Sequence, residues 1–314
     1  MNWSDKIVLV TGGSGFLGSY VVELLNQKNV KKIITSSSKE YDLINRSDCK
    51  QVVTGVDIVF HLAGKVGGIG LNREKPAELF YDNIMMGTQL MHEAKDARVE
   101  KFIALGTICS YPKFASVPFS EESIWNGYPE ETNAPYGLAK KMLLVQSQAY
   151  RQQYNFKSIV VFPTNLYGPK DNFNPNTSHV IPALILKIYT AMKTNSNRIS
   201  VWGDGTATRD FLYVEDAARG IILAAERYDE SEPINLGSER EVTIKDLVSI
   251  IARIMNYEGK IVWDTTKPNG QPRRCVSNKR AAEKLGFRPL VTLEEGLTKT
   301  IDWFIKKKER ESQG

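Results

Sequence analysis

The chain predicts an α/β fold: a doubly wound parallel sheet, followed by a smaller C-terminal α/β domain. Three observations carry this. Short apolar runs alternate with helical patterns through the first half. The turn Thr11-Gly12-Gly13-Ser14-Gly15-Phe16-Leu17-Gly18 joins the first run to the first helical pattern. Beyond Phe162 the alternation stops at a stretch rich in Pro, Asn and Gly. Parallel strands with helices on both faces bury such runs.

Strands are expected at Ile7–Val10, Lys32–Thr35, Ile58–Leu62, Phe102–Leu105 and Ser158–Phe162. Each is a short apolar run of the kind a fully buried strand needs. Helical periodicity follows at about 17–28, 78–97 and 135–154. Residues 163–178 read as loop. Helices are then expected over 180–194, 243–256 and 291–309, with a short strand at Lys260–Trp263. Pro233-Ile234-Asn235-Leu236 reads as a late strand returning to the main sheet. The expected division is 1–166, with a returning segment near 205–237, and 167–314 as mainly a substrate-binding part.

Bulk properties narrow the function. The 314 residues carry 41 basic and 36 acidic side chains, a net charge of +5. The run Lys306-Lys307-Lys308 reads as a solvated helix end, not a nucleic-acid stripe. Cys49, Cys109 and Cys275 lack metal or disulfide spacing, so no metal site is expected. No apolar run approaches the ~20 residues that span a bilayer, and no signal-peptide pattern stands at the start. A cytoplasmic protein without membrane or nucleic-acid partners is expected.

Gly12, Gly15 and Gly18 sit between a strand and a helix. There the backbone turns sharply and a pyrophosphate can reach the helix N-terminus. A dinucleotide is therefore expected in a Rossmann sheet, touching Gly12, Gly13, Ser14, Gly15, Phe16, Leu17 and Gly18. Enzymes for NAD usually carry Asp or Glu after the second strand. This chain has Ser36-Ser37-Ser38-Lys39, hydroxyls and a cation that suit a 2′-phosphate. NADP(H) is the expected cofactor. Asp42 is a candidate for the adenine amino group. His61-Leu62-Ala63-Gly64 ends the third strand, and its small residues allow close approach to the cofactor, which is expected to touch Leu62 and Ala63; His61 reads equally as a core histidine.

Pro135 suits a first helical turn, which puts Tyr136 and Lys140 on one face. A nearby ammonium favours ionisation of the phenol, so Tyr136 is the expected acid/base. Leu105-Gly106-Thr107 ends the fourth strand and supplies a hydroxyl. On residue chemistry alone Cys109 reads as a small buried hydrophobe, and His179 is undecided.

The glycine turn, His61–Gly64, Thr107, the Tyr136/Lys140 pair and Pro163-Thr164-Asn165-Leu166-Tyr167-Gly168-Pro169 resemble the extended short-chain dehydrogenase/reductase family. Lys65–Ile69, Cys109 with Tyr111-Pro112-Lys113, Glu131–Asn133, Asp171–Phe173, Ser178–Pro182, Val201–Gly203 and Asp264–Pro268 are similar to one nucleotide-sugar branch of it. That branch is an NADPH-dependent 3,5-epimerase/4-reductase of GDP-4-keto-6-deoxy-mannose. The resemblance implies a GDP-sugar substrate and gives Cys109 and His179 the role of epimerising acid/base pair. It places Leu105, Gly106, Pro163, Asn165, Leu166 and His179 against the cofactor, with Lys140 on its ribose. It places Lys187, Trp202, Arg209 and Ser277 on the nucleotide sugar.

Thr107 stands where the family usually has Ser, Lys187 where Arg is more usual, and Ser277 near a frequent Asp. Thr208 and Asp210 flank Arg209 in place of the usual pattern. These departures keep a second reading open: another GDP-4-keto sugar, a heptose or a 3,6-dideoxy sugar. A non-catalytic NADP-binding protein on this fold would be expected to have lost part of the Tyr136, Lys140, Cys109 and His179 set. Relatives commonly form dimers through two helices per subunit, here about 78–97 and 135–154. Met85, Met86, Leu90 and Met91 would supply apolar contacts there, or equally face the chain's own core.

Overall fold

Val8, Leu9 and Val10 have no exposed surface, so the first strand is central, flanked on both sides and covered on both faces. A computed structural model describes residues 1–267 and 269–313. Pro268, which closes the Asp264–Pro268 segment, lies outside the described residues. The first half runs β1 (Ile7–Thr11), α1 (Phe16–Gln27), β2 (Lys32–Ser36), α2 (Arg46–Val52), β3 (Ile58–His61), α3 (Ile69–Glu74), α4 (Pro76–Asp96), β4 (Lys101–Leu105), α5 (Ala134–Tyr154) and β5 (Ser158–Pro163). The second half runs β6 (Asn165–Tyr167), α6 (Val180–Lys193), β7 (Arg198–Trp202), β8 (Thr208–Tyr213), α7 (Val214–Arg227), β9 (Ile234–Leu236), β10 (Glu241–Thr243), α8 (Ile244–Ile254), β11 (Lys260–Asp264), β12 (Arg273–Arg274), α9 (Lys279–Leu285) and α10 (Leu293–Gln313).

The main sheet has six strands in the order β2-β1-β3-β4-β5-β9, all parallel. The chain leaves β1 toward β2 on one side and returns to β3 on the other. Ligands of such sheets bind in the crevice beyond the carboxyl ends at this switch point. Alternation along β1 divides the core. Val8 and Val10 pack with α1 and α7 on one face. Leu9 packs with α4 and α5 on the other.

The second unit is built around β8, which pairs with β10, β12 and β6. The parallel pair β7–β11 lies beside it, and α6, α8 and α10 close a third core. The chain returns to the first unit through α7 and β9, and again through α9, whose Ala281 and Leu285 join the first core.

Two segments of the second half illustrate where the structure goes beyond the sequence reading. Within 163–178, expected as loop, Asn165–Tyr167 forms β6 because β8 offers it a parallel edge. The stretch 205–237 holds a full helix, α7, besides its strands. Of the two alternatives left open for α4, Leu90 and Met91 take the second: they have no exposed surface and belong to the intramolecular core against α5.

Candidate active site

The glycine turn shows why three glycines are spaced as they are. Gly12 adopts φ +69°, in the left-handed region. A Cβ on Gly18 would lie 2.0 Å from the Gly12 carbonyl oxygen, so turn and helix pack backbone to backbone. The N-cap of α1 is Gly15, with no side-chain cap and no acidic residue in the first turn. The free amides at that end therefore suit an anion such as a pyrophosphate, and these residues fit a dinucleotide.

Gly12, Gly15, Phe16, Leu17 and Gly18 line one end of a cleft of about 710 Å³. Leu62, Ala63, Leu105 and Gly106 line its floor, with Pro163, Asn165 and Leu166 beside them. The Asn165 amide donates to the Asp210 carbonyl at 2.8 Å, which fastens this wall to β8. Gly13 and Ser14 do not line the cleft; a Cβ on Gly13 would strike Thr35 at 2.6 Å.

The turn after β2 lies outside this cleft. Ser36 is paired to Thr11 within the sheet, whereas Ser38 and Lys39 are exposed. Glu40 folds back: the Ser37 hydroxyl donates to its carboxylate at 3.0 Å. The turn is therefore not free of acid in three dimensions, although residues 36–39 are. Asp42 is exposed and accepts the Ile44 amide at 3.1 Å, a local turn bond.

Cys109 follows Thr107 on a short 3-10 turn at Ile108–Ser110, where the Thr107 hydroxyl accepts the Cys109 amide at 3.3 Å. A Cβ on Gly137 would sit 2.3 Å from the Cys109 carbonyl oxygen. This glycine lets α5 press directly on the turn and brings Tyr136 beside Thr107 and Cys109. All three line the cleft. Burial pushes the Tyr136 phenol well above its ordinary pKa, Cys109 adds to this, and Thr107 opposes it. The expected help from an ammonium is thus outweighed, and the phenol is a proton donor at neutral pH. Lys140 lies behind the cleft, almost fully buried, with its ammonium 3.2 Å from the Ala63 carbonyl. Desolvation pulls it down to about 8. His61 is a buried core residue whose Nδ1 meets the Thr11 hydroxyl at 3.0 Å.

His179 is the N-cap of α6 and lines the cleft. The residue is exposed to the open cleft; the crowding of protein atoms around it, and then the charge of Arg274, lower its pKa from the ordinary value. Lys187 donates to the Ser200 carbonyl at 2.9 Å and lies 6.0 Å from the Trp202 ring centre. Arg209 is buried and donates to the carbonyls of Thr208 and Gln271, both at 2.7 Å. Burial and the like charge of Arg274 pull it down to about 9, still charged at neutral pH. All three line the cleft, but Ser277 does not. The Ser277 hydroxyl accepts the Lys279 amide at the start of α9, so it is engaged locally.

Arg274, Gln271 and Asp171 are among the lining residues to which the sequence reading gave no role. Arg274 donates to the Cys109 sulfur at 3.5 Å, and Gln271 accepts from Arg274 Nε at 2.8 Å. Nothing in the sequence links positions so far apart. Burial pushes the Asp171 carboxyl up to about 7; its Oδ2 has no partner. Its signal was membership of the Asp171–Phe173 segment.

The profile of the NAD dependent epimerase/dehydratase family matches residues 8–237. The chain is 37% identical to GDP-L-fucose synthase 1 of Arabidopsis thaliana, over 96% of this chain and 95% of the relative. It is 35% identical to GDP-L-colitose synthase of Yersinia pseudotuberculosis, over 96% and 98%. The structure of a GDP-L-fucose synthetase from Naegleria fowleri bound to NADP superposes with a TM-score of 0.87 at 30% identity, over 97% of this chain and 95% of that one. The chain belongs to the NAD dependent epimerase/dehydratase family, within the extended short-chain dehydrogenases/reductases.

Proposed function

We propose that this protein converts GDP-4-keto-6-deoxy-D-mannose to GDP-L-fucose by 3,5-epimerisation and 4-keto reduction. The observation that carries the reading is one cleft lined by a phenol, a hydroxyl, a thiol and an imidazole together with the glycine turn. A plain reductase needs the phenol and hydroxyl. The thiol and imidazole supply what epimerisation adds: a base and an acid for carbon, on opposite faces of a sugar ring.

Cys109 removes the proton next to the 4-keto group. His179 comes from the other unit and returns a proton on the opposite face. An imidazole whose charged form is disfavoured gives up its proton readily. Thr107 hydrogen-bonds the C4 oxygen, and Tyr136, protonated at neutral pH, donates to it as the alcohol forms. Bound NADPH supplies the hydride to C4. Lys140 holds the nicotinamide ribose. Lys187, Trp202 and Arg209 present two cations and a ring to the nucleotide diphosphate.

The likeness to GDP-L-colitose synthase favours one second reading, a GDP-4-keto-3,6-dideoxy sugar as substrate. Incubation with NADPH and each GDP-4-keto sugar, followed by product sugar analysis, separates them. L-Fucose from the 6-deoxy substrate supports the first reading. Turnover of the dideoxy substrate alone supports the second.

The working form is a homodimer joined through α4 and α5, whose Phe80, Tyr81, Val145 and Tyr154 are exposed. The setting is cytoplasmic. This is supported by three free cysteines, and among the described residues no helix is long and apolar enough to cross a membrane.

A further inference from the structure

We propose that Arg274 is a positioning residue for Cys109: clamped by Gln271, its guanidinium holds the sulfur in its charged, proton-abstracting form. The inference rests on the reading of Cys109 as the base.

Arg274 lies on β12, in the second unit, and its side chain is buried. Buried arginines normally face a carboxylate. Among the described residues no carboxylate pairs with it. Its Nη1 donates instead to Cys109 Sγ at 3.5 Å, and its Nε donates to Gln271 Oε1 at 2.8 Å. Gln271 is itself buried. Its amide donates to the carbonyl of Lys113 at 3.1 Å, just beyond the turn that carries Cys109. One end of Gln271 thus grips the backbone next to the thiol, and the other aims the guanidinium at the sulfur. Two bonds fix the planar fork, so Arg274 is committed to this contact.

The other charged or titratable groups around the sulfur are Arg209 from β8, Tyr136 from α5 and His179 from the start of α6. Arg209 is turned to the carbonyls of Thr208 and Gln271. Tyr136 stays protonated. Glu130, which acts on Arg209, is bound to Asn133 at 2.7 Å. Arg274 is therefore the cation that directly contacts the sulfur.

The test is the pH dependence of iodoacetamide alkylation of Cys109 in the full chain, without sugar or cofactor, read by mass spectrometry. Cys49 and Cys275 are buried and report folding. Arg274→Gln should slow labelling of Cys109 near pH 7 by about three- to tenfold and move the profile to higher pH. Loss of an opposite charge at this range lowers the thiolate fraction, and a more nucleophilic thiolate offsets part of that. Arg274→Lys should recover most of the rate, and Gln271→Leu should give intermediate slowing. Wild-type rates across the profile in Arg274→Gln would overturn the proposal. If that variant labels all three cysteines it has unfolded, and Gln271→Leu then decides, with a wild-type rate overturning the idea. No sugar is involved, so failure of the substrate assignment leaves this result standing.

Discussion

Tyr136 and Lys140 lie one helical turn apart, and burial acts on both in opposite senses. The phenol is held protonated, which is the state a donor needs. Tyr136→Phe keeps the ring packing and removes only that proton. NADPH oxidation should fall by roughly 10²-fold or more, while exchange of the sugar's ring protons with solvent survives. Full reduction by this variant would assign the proton to another group. Lys140 is charged at neutral pH and, among the described residues, pairs with no carboxylate. Its pKa falls from 10.5 to about 8, so between those values the unfolded chain binds more protons than the folded one. The stability contributed by this group therefore rises with pH from about 8 to 10.5 and is absent below. Lys140→Met should stabilise the ligand-free protein at pH 7 by ~1–3 kcal/mol in urea denaturation while abolishing reduction. Destabilisation would show that the ammonium has a partner in the resting protein.

At the scale of elements, we propose that the turn between β2 and α2 governs cofactor choice. It offers Ser37, Ser38 and Lys39 to a 2′-phosphate, yet Glu40 holds the Ser37 hydroxyl. NADPH should bind at least roughly tenfold more tightly than NADH, about 1.4 kcal/mol. Lys39→Asp should shift that preference toward NADH, as measured by cofactor titration; unchanged preference would place the determinant elsewhere. The same scale explains what the sequence made legible. β1, β3, β4 and β5 are apolar runs buried on both faces, and each was visible as such. α7 was not visible. Four of its nine buried residues are alanine, and Asp216 is buried among them, accepting the Leu290 and Val291 amides. β6, β10 and β12 have two or three residues each, too few to show a period.

Across the whole molecule, the cleft exists because two units meet. Thr107, Cys109 and Tyr136 come from the first, and His179, Arg209 and Arg274 from the second. Of the first group, Thr107 and Tyr136 could be found from a strand end and the Tyr136/Lys140 spacing, whereas Cys109 took its role only from the resemblance. The second could be anticipated only through resemblance, and Arg274 not at all, because its meaning lies in a contact across 165 positions. Ser277 illustrates the converse: a position matched by sequence turns to the start of α9 instead of the cleft. The central claim is that one cleft both epimerises and reduces. Its most direct test is incubation of the protein with NADPH and GDP-4-keto-6-deoxy-D-mannose in deuterated water, followed by NMR of the product. GDP-L-fucose with deuterium at C3 and C5 is the expected product. A C4-reduced product with unchanged ring configuration and no deuterium at either carbon would contradict it.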